Sequence, residues 1–436
     1  MRKQVHQCLR IWNQSEGHLQ SIGKYAAKPL IEEGLVLLAS NDPFSAELIR
    51  RRFKESKSVL ELANVYHFSQ DQINRKQSKA IDALALIVGQ LISQMHHEAS
   101  QRKLAKLPPA RYENLYGMED HSRNLVNLLC DSDGYWALAV TGLGGIGKSA
   151  LVHTTMLELA KDSHFDDFLW LRFEQQDFDW MRGEESAFWK MLLQRMTLAL
   201  APQNLEHPHW QSRFLRELRE KPKLIVLDNL DEQSLSPSFC EKLATLVNPS
   251  KLILTSRAAM PPSSQFYQYA LGEIKEPAAR HFILEHARSL NVQFFPSDAE
   301  AICEGILQVT GGNPLAIRLA VGLLLSLPLG EVMRSFADNP GKNVEQMYRE
   351  IFLHSWETLS PLAQRLLQAM PLLARSGGTR EHLLAISAID EEKLDEIIQE
   401  LISRSLIEMQ GSVLEPIYGI HVLTESFLQA QVLKWS

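Results

Sequence analysis

The run Gly142-Leu143-Gly144-Gly145-Ile146-Gly147-Lys148-Ser149 joins an apolar strand candidate, Trp136 to Thr141, to an amphipathic helix candidate, Lys148 to Ala160. Glycines at this spacing let successive backbone N–H groups turn inward around a β-phosphate, and the start of the helix adds a favourable partial charge. Gly142, Gly144, Gly145, Ile146 and Gly147 then form the cradle. Lys148 reaches the β- and γ-phosphates, and the Ser149 hydroxyl ligates Mg²⁺. This is the chemistry of a P-loop holding ATP or ADP with Mg²⁺.

A second signal lies downstream. Leu224-Ile225-Val226-Leu227 reads as a buried strand that ends in Asp228, at the edge where open α/β sheets bind ligands. A carboxylate there holds Mg²⁺ through water, as a Walker-B acid does. Another strand ends at Thr255-Ser256-Arg257, which brings a guanidinium toward the γ-phosphate and distinguishes tri- from diphosphate. Asn229 follows Asp228, and a neutral amide orients water but does not accept its proton. Asp231 is the alternative base. Hydrolysis is therefore expected to be slow or absent.

Positioning these groups requires a sheet. Strands are expected at Trp136–Thr141, Phe168–Phe173, Lys223–Asp228 and Lys251–Ser256, alternating with helical patterns, which gives a parallel sheet flanked by helices. The 436 residues, 45% hydrophobic and 22% charged, suit a multidomain chain of about three globular domains. No stretch reaches the roughly 18 uninterrupted apolar residues of a membrane span, and the start of the chain lacks a signal-peptide apolar region. A cytoplasmic protein with no membrane partner is expected. The cysteines Cys8, Cys130, Cys240 and Cys303 show no C-x-x-C spacing, so they are read as buried thiols rather than as a zinc site or disulfide framework.

Two proline-marked joints, Leu107-Pro108-Pro109-Ala110 and Ala337 to Asn343, divide the chain. Ahead of the first joint, residues 1–110 carry 16 Lys and Arg against 10 Asp and Glu, whereas the remainder carries 29 against 42. Any nucleic-acid contact therefore belongs to this N-terminal arm. Its pattern is all-helical. Ser58 to Ala63 reads as a short helix, His67-Phe68 as a turn, and Ser69 as the N-cap of a second helix from Gln70 through Ile81 and onward.

The order of motifs resembles the NB-ARC branch of STAND P-loop ATPases, over about residues 111–430. Leu115-Tyr116-Gly117-Met118-Glu119 is similar to the family's entry motif beside the adenine, and His164-Phe165-Asp166 to the segment before its second strand. Leu224 to Asp231 resembles the Walker-B segment, and Lys251 to Arg257 the sensor-1 strand. Gly311-Gly312-Asn313-Pro314-Leu315-Ala316 matches the G-x-P-L motif, in which the proline touches the base. Phe352 to Trp356 with Leu359-Ser360-Pro361 resembles the start of the family's winged-helix domain. Tyr418 to Leu423 aligns with its Met-His-Asp element, so His421 is expected to contact the diphosphate in a closed state.

The chain departs from the pattern at Met118, where arginine is usual, at Val422, where aspartate is usual, and at Asn229. The resemblance implies a P-loop domain over residues 111–273, a small helical domain over 274–336 and a winged-helix domain over 344–436. It further implies a switch that forms a homo-oligomer when ATP-bound and works with an effector or sensor protein.

Residues 1–105 resemble a sigma-region-4-like helix-turn-helix. On that reading Arg51, Gln72, Asn74, Arg75, Lys76 and Lys79 supply donors for phosphates and base edges, in DNA-directed transcriptional control or in bacterial defence signalling. The alternatives are a protein-recruiting adaptor with a structural nucleotide and a constitutive ATPase acting on nucleic acid.

Overall fold

A computed structural model describes residues 1–12, 21–22, 25–162, 164–173, 185–230, 237–257, 266–325, 327–337, 352–353, 356–357, 359–373, 377–404, 406–411, 415–420 and 422–428. The chain separates into two compact units, Met1–Arg102 and Lys103–Ser436.

The first unit begins with helix α1 (Arg2–Arg10) and a two-residue antiparallel ladder of β1 (Ser21–Ile22) and β2 (Tyr25–Ala26). Helices α2 (Ala27–Asn41), α3 (Pro43–Ile49), α4 (Val59–Tyr66) and α5 (Gln70–Leu104) follow, with a π-helical turn at Arg50–Lys54 between α3 and α4. The ladder corrects the all-helical expectation. Apolar residues at Ile73, Ala80, Ile81, Leu84 and Val88 recur at helical spacing and form the buried stripe of α5. From Ala80 onward that stripe packs with Val5, Leu9, Ile31, Leu35 and Leu38 in one core, while Ile73 joins Leu48, Leu62 and Ala63 in a smaller cluster between α3, α4 and α5. Helices α2 and α5 meet closely at Gly34, where a Cβ would lie 3.0 Å from both Leu84 and Val88.

Two reciprocal caps set the helix starts. Ser58 and Glu61 form a capping box on α4, and Ser69 with Gln72 does the same on α5. Between them His67, at φ 56°, ends α4 in the left-handed region.

In the second unit, strands β3 (Ala137–Thr141), β4 (Asp167–Arg172), β5 (Lys223–Asp228), β6 (Lys251–Ser256) and β7 (Phe266–Ala270) form one parallel sheet, ordered β4-β5-β6-β3-β7. The first four occur where the sequence places them within a residue, and β7 is an addition. Helices α6 (Glu119–Cys130) and α7 (Lys148–Leu159) share one core with the sheet face that presents Leu138, Val140, Leu224, Val226 and Ile253. On the other face Ala139, Ile225, Leu227 and Leu254 pack with Phe188, Leu192, Phe214 and Phe239. Burial on both faces explains why these strands read as unbroken apolar runs.

Beyond the sheet come helices at Ala278–Ser289, Ala299–Thr310, Pro314–Leu323 and Leu329–Ala337. Three more, Pro361–Ala369, Arg380–Ser387 and Glu391–Ser403, lead into the antiparallel pair β8 (Glu408–Gly411) and β9 (Pro416–Gly419). A single bridge joins Gly378 to Tyr418 of β9. Among the described residues no helix is long and apolar enough to cross a membrane.

Candidate functional site

The Gly142–Ser149 loop leaves β3 at its C-terminal end and turns directly into α7. Its shape depends on glycine at Gly145, which has φ 73° and where a Cβ would fall 2.6 Å from Cβ of Leu315. Gly147, at φ 101°, stands at the N-cap of α7, and no side chain caps this helix. Its first N–H groups therefore have no side-chain acceptor, the condition under which a helix start receives an anion. The Lys148 ammonium donates to the Gly142 and Leu143 carbonyls at 2.7 and 2.9 Å, so its charge lies within the loop it serves.

The acid of β5 comes to the same place. Asp228 is 1% exposed, and its Oδ1 accepts hydrogen bonds from the Ser149 hydroxyl at 2.6 Å and the Thr255 hydroxyl at 2.7 Å. A hydroxyl and a carboxylate held together are hard oxygen donors, the set that Mg²⁺ takes, so Ser149 and Asp228 fit that ion. Asn229 adopts φ 62°, a left-handed conformation that asparagine tolerates well. Its backbone N–H donates to Thr255 Oγ1 at 2.8 Å and its amide to the Phe173 carbonyl at 3.2 Å. The side chain is thus tied to the backbone after β4. Arg257 is half-buried at the end of β6. Asp231 and His421 lie outside the described residues.

Tyr116 and Gly117 of the Leu115–Glu119 segment come together with the helix at Ala278–Ser289. Tyr116 stacks on Phe282 with centroids 5.0 Å apart and meets His281 edge-on at 5.3 Å. Gly117 has φ 68°, and a Cβ there would lie 3.0 Å from Ala278. Met118 is buried, and its Cε would lie 3.4 Å from a Cβ at Gly147.

Pro314 is the first residue of its helix, and the preceding Asn313 does more than the motif announces. Asn313 Oδ1 accepts from the N–H groups of Leu315 and Ala316, and its Nδ2 donates to the Gly144 carbonyl at 3.1 Å. Asn313 and Leu315 therefore clamp the phosphate loop across 169 residues of sequence in the case of the Asn313 bond. The linker before α6 is fastened to α7 as well. His153 Nε2 donates to the Pro108 carbonyl, which leaves Nδ1 to accept from the Tyr112 hydroxyl. Burial holds the His153 pKa below its ordinary value.

Two further positions escaped the motif reading. Thr255 contacts both Asp228 and Asn229. Arg172 ends β4 directly across from Asp228 and lines a recess with Arg111, Gly377, Tyr418, Ile420 and Glu425. Three cysteines are buried as expected, but Cys130 is half-buried, and its sulfur lies with Asp162 and His164 ligand atoms inside a 4.8 Å group. Asp162 and His164 already pair with each other at 2.8 Å.

In the first unit the expected donors divide. Arg51 is bound to Glu47 at 2.7 Å, Gln72 accepts from the Ser69 N–H, and the Lys76 ammonium lies 4.7 Å from the Phe68 ring centroid. Asn74, Arg75 and Lys79 are exposed.

Residues 118–262 match the NB-ARC domain family. Disease susceptibility protein LOV1 of Arabidopsis thaliana is 26% identical over 275 residues, covering 56% of this chain and 28% of that protein. Disease resistance protein RPP8 of the same plant is 24% identical over 272 residues, covering 59% of this chain and 28% of that protein. This chain therefore spans less than a third of the length of either relative. Among solved structures, a Signal Transduction ATPase with Numerous Domains (STAND) protein with a tetratricopeptide repeat sensor from Pyrococcus horikoshii is 14% identical. That likeness covers 74% of this chain and 43% of the other, with a TM-score of 0.44.

Proposed function

Because this chain carries an NB-ARC domain at residues 118–262, we propose that it is a nucleotide-regulated switch, holding ADP at rest and ATP when active, with Mg²⁺ between Ser149 and Asp228. The observation that carries this reading is the clamp of Asn313 and Leu315 on the phosphate loop. A loop gripped by the following helical segment passes any change in bound phosphate to that segment, and a ligand shifts a conformational balance only through contacts that differ between states. Binding exchanges the carbonyl partners of Lys148 for phosphate oxygens. Residues 274–336 act as the small helical domain and residues 344–436 as a winged-helix domain that closes over the nucleotide through His421. Exchange for ATP releases both and permits homo-oligomer assembly in the cytoplasm.

Turnover is slow on this reading. Asn229 offers no base, and its amide is committed to the Phe173 carbonyl. Residues 1–105 carry the output, to an effector or sensor protein or to DNA, in bacterial defence or transcriptional control. The internal engagement of Arg51, Gln72 and Lys76 favours the protein-recruiting form of that output. Fluorescence anisotropy of the full chain with mixed DNA duplexes at 50 mM salt separates the two forms. Salt-sensitive binding weakened by Asn74→Ala or Arg75→Ala supports DNA, and its absence in the ATP-loaded oligomer supports a protein partner.

The central experiment identifies the nucleotide released from purified protein on denaturation and measures the oligomeric mass before and after ATP exchange. ADP in the smaller species and ATP in the larger is the expected result. A protein that releases no nucleotide, or whose mass is the same with either, contradicts the switch.

A further inference from the structure

The carboxylate of Asp228 has two unlike sides. Oδ1 is occupied by the hydroxyls of Ser149 and Thr255. Facing Oδ2 is the Arg172 Nε, 4.0 Å away, too far for a hydrogen bond but close enough for strong attraction between a buried acid and a guanidinium. The Arg172 Nε is itself buried and has no hydrogen-bond partner. Its position is fixed by strand register, since Arg172 and Asp228 are direct partners across the β4–β5 ladder. The Arg172 carbonyl also accepts from Arg195 at 3.1 Å, which adds a second anchor.

The same side chain lines the recess beneath the C-terminal hairpin, with Arg111 and Glu425 among the other lining residues.

We propose that Arg172 is a built-in cation that competes with Mg²⁺ for the field of Asp228. The inference rests on the nucleotide reading above and deepens it: the positioning of Arg172 sets how much Mg²⁺ the site needs. With the guanidinium facing Oδ2, a divalent cation entering beside Asp228 meets a like charge. Removing that charge lowers the Mg²⁺ demand.

The test is a Mg²⁺ titration of N-methylanthraniloyl-ATP binding to the full chain, followed by fluorescence, with an EDTA arm to measure metal-free affinity. Arg172→Gln is expected to lower the Mg²⁺ midpoint about tenfold and Arg172→Lys to stay within about twofold of wild type, as expected for a charge pair at intermediate dielectric. Metal-free affinity should change little, which separates the effect from general damage. Equal midpoints for wild type and Arg172→Gln would overturn the inference while leaving the nucleotide reading intact. If Arg172→Gln does not fold, Arg172→Met, which removes the charge and keeps an apolar stem, decides in its place. Failure of the wild type to bind the probe at any Mg²⁺ concentration overturns the reading and the inference together.

Discussion

Helix α7 of the second unit and helices α4 and α5 of the first start in opposite ways. In the first unit α4 and α5 each begin with a serine and a residue three positions on that satisfy one another's backbone, Ser58 with Glu61 and Ser69 with Gln72. In the second unit α7 begins at a left-handed glycine with no side-chain cap, while the neighbouring helix at Pro314 is capped twice by Asn313. Caps contribute stability, so a long helix without one at its start gives up about 1 kcal/mol unless something else meets its N–H groups. Because α1, α2 and α6 also lack a side-chain cap, it is the glycine loop and Lys148 beside α7, together with the missing cap, that set its start apart.

The strongest way to break this contrast is at Lys148. Lys148→Ala should weaken nucleotide retention at least about 100-fold, because charge-assisted contacts to phosphate are lost together. Chromatography of the nucleotide released from purified variant would check it, and wild-type content would mean that the uncapped start is not an anion site.

Next in size is a pH effect on the segment that grips the loop. His286 lies in the helix after Tyr116's partner Phe282, and burial first, then the nearby Arg318 charge, pushes its pKa down to about 4 from 6.5. A depressed histidine favours the neutral form in the folded chain, so its contribution is complete above pH 6.5 and is lost as pH falls from there to about 4. The loss is of order 3 kcal/mol by linkage. The stability difference between wild type and His286→Gln, followed by thermal unfolding, should be constant above pH 6.5 and should move against wild type by about 3 kcal/mol as pH falls to about 4. A difference that stays the same through that fall would show that the imidazole does not titrate as described.

Asn313→Ala should cost about 2 kcal/mol in stability, since it removes a double cap and the bond to Gly144. It should also raise the rate at which bound nucleotide escapes. Ser69→Ala, the smallest effect, should cost about 1 kcal/mol with no change in nucleotide content. Equal nucleotide loss in both variants would erase the proposed distinction between clamp and cap.

Much of the candidate site is local in sequence and was legible there. The phosphate loop contains its own strand end, turn and helix start, and the β5 run ending at Asp228 is apolar because both sheet faces are covered. The fifth strand was not legible for the converse reason. In Phe266–Ala270 only Phe266 is buried, while half-buried tyrosines alternate with exposed Gln268 and Ala270 along the sheet edge, so there is no continuous apolar run. The clamp of Asn313 on Gly144 joins residues far apart in the chain, and a G-x-P-L pattern points to the proline rather than to the amide before it. Arg172 became visible only through register, which places it opposite Asp228. Sequence spacing likewise gives no sign that Cys130 approaches Asp162 and His164.

The contact between Gly145 and Leu315 has a mechanical consequence. With a missing methyl group as the whole clearance, 2.6 Å from the next carbon, loop and helix mesh like two gear teeth. Such a joint transmits a push from either side, because the two surfaces have little room to approach further before atoms collide. Gly145→Ala would insert a wedge at the pitch point, at a backbone angle alanine also resists, and so prise the helix at Pro314 outward from the loop. A single carbon atom is therefore enough to act as a lever on the whole segment that follows.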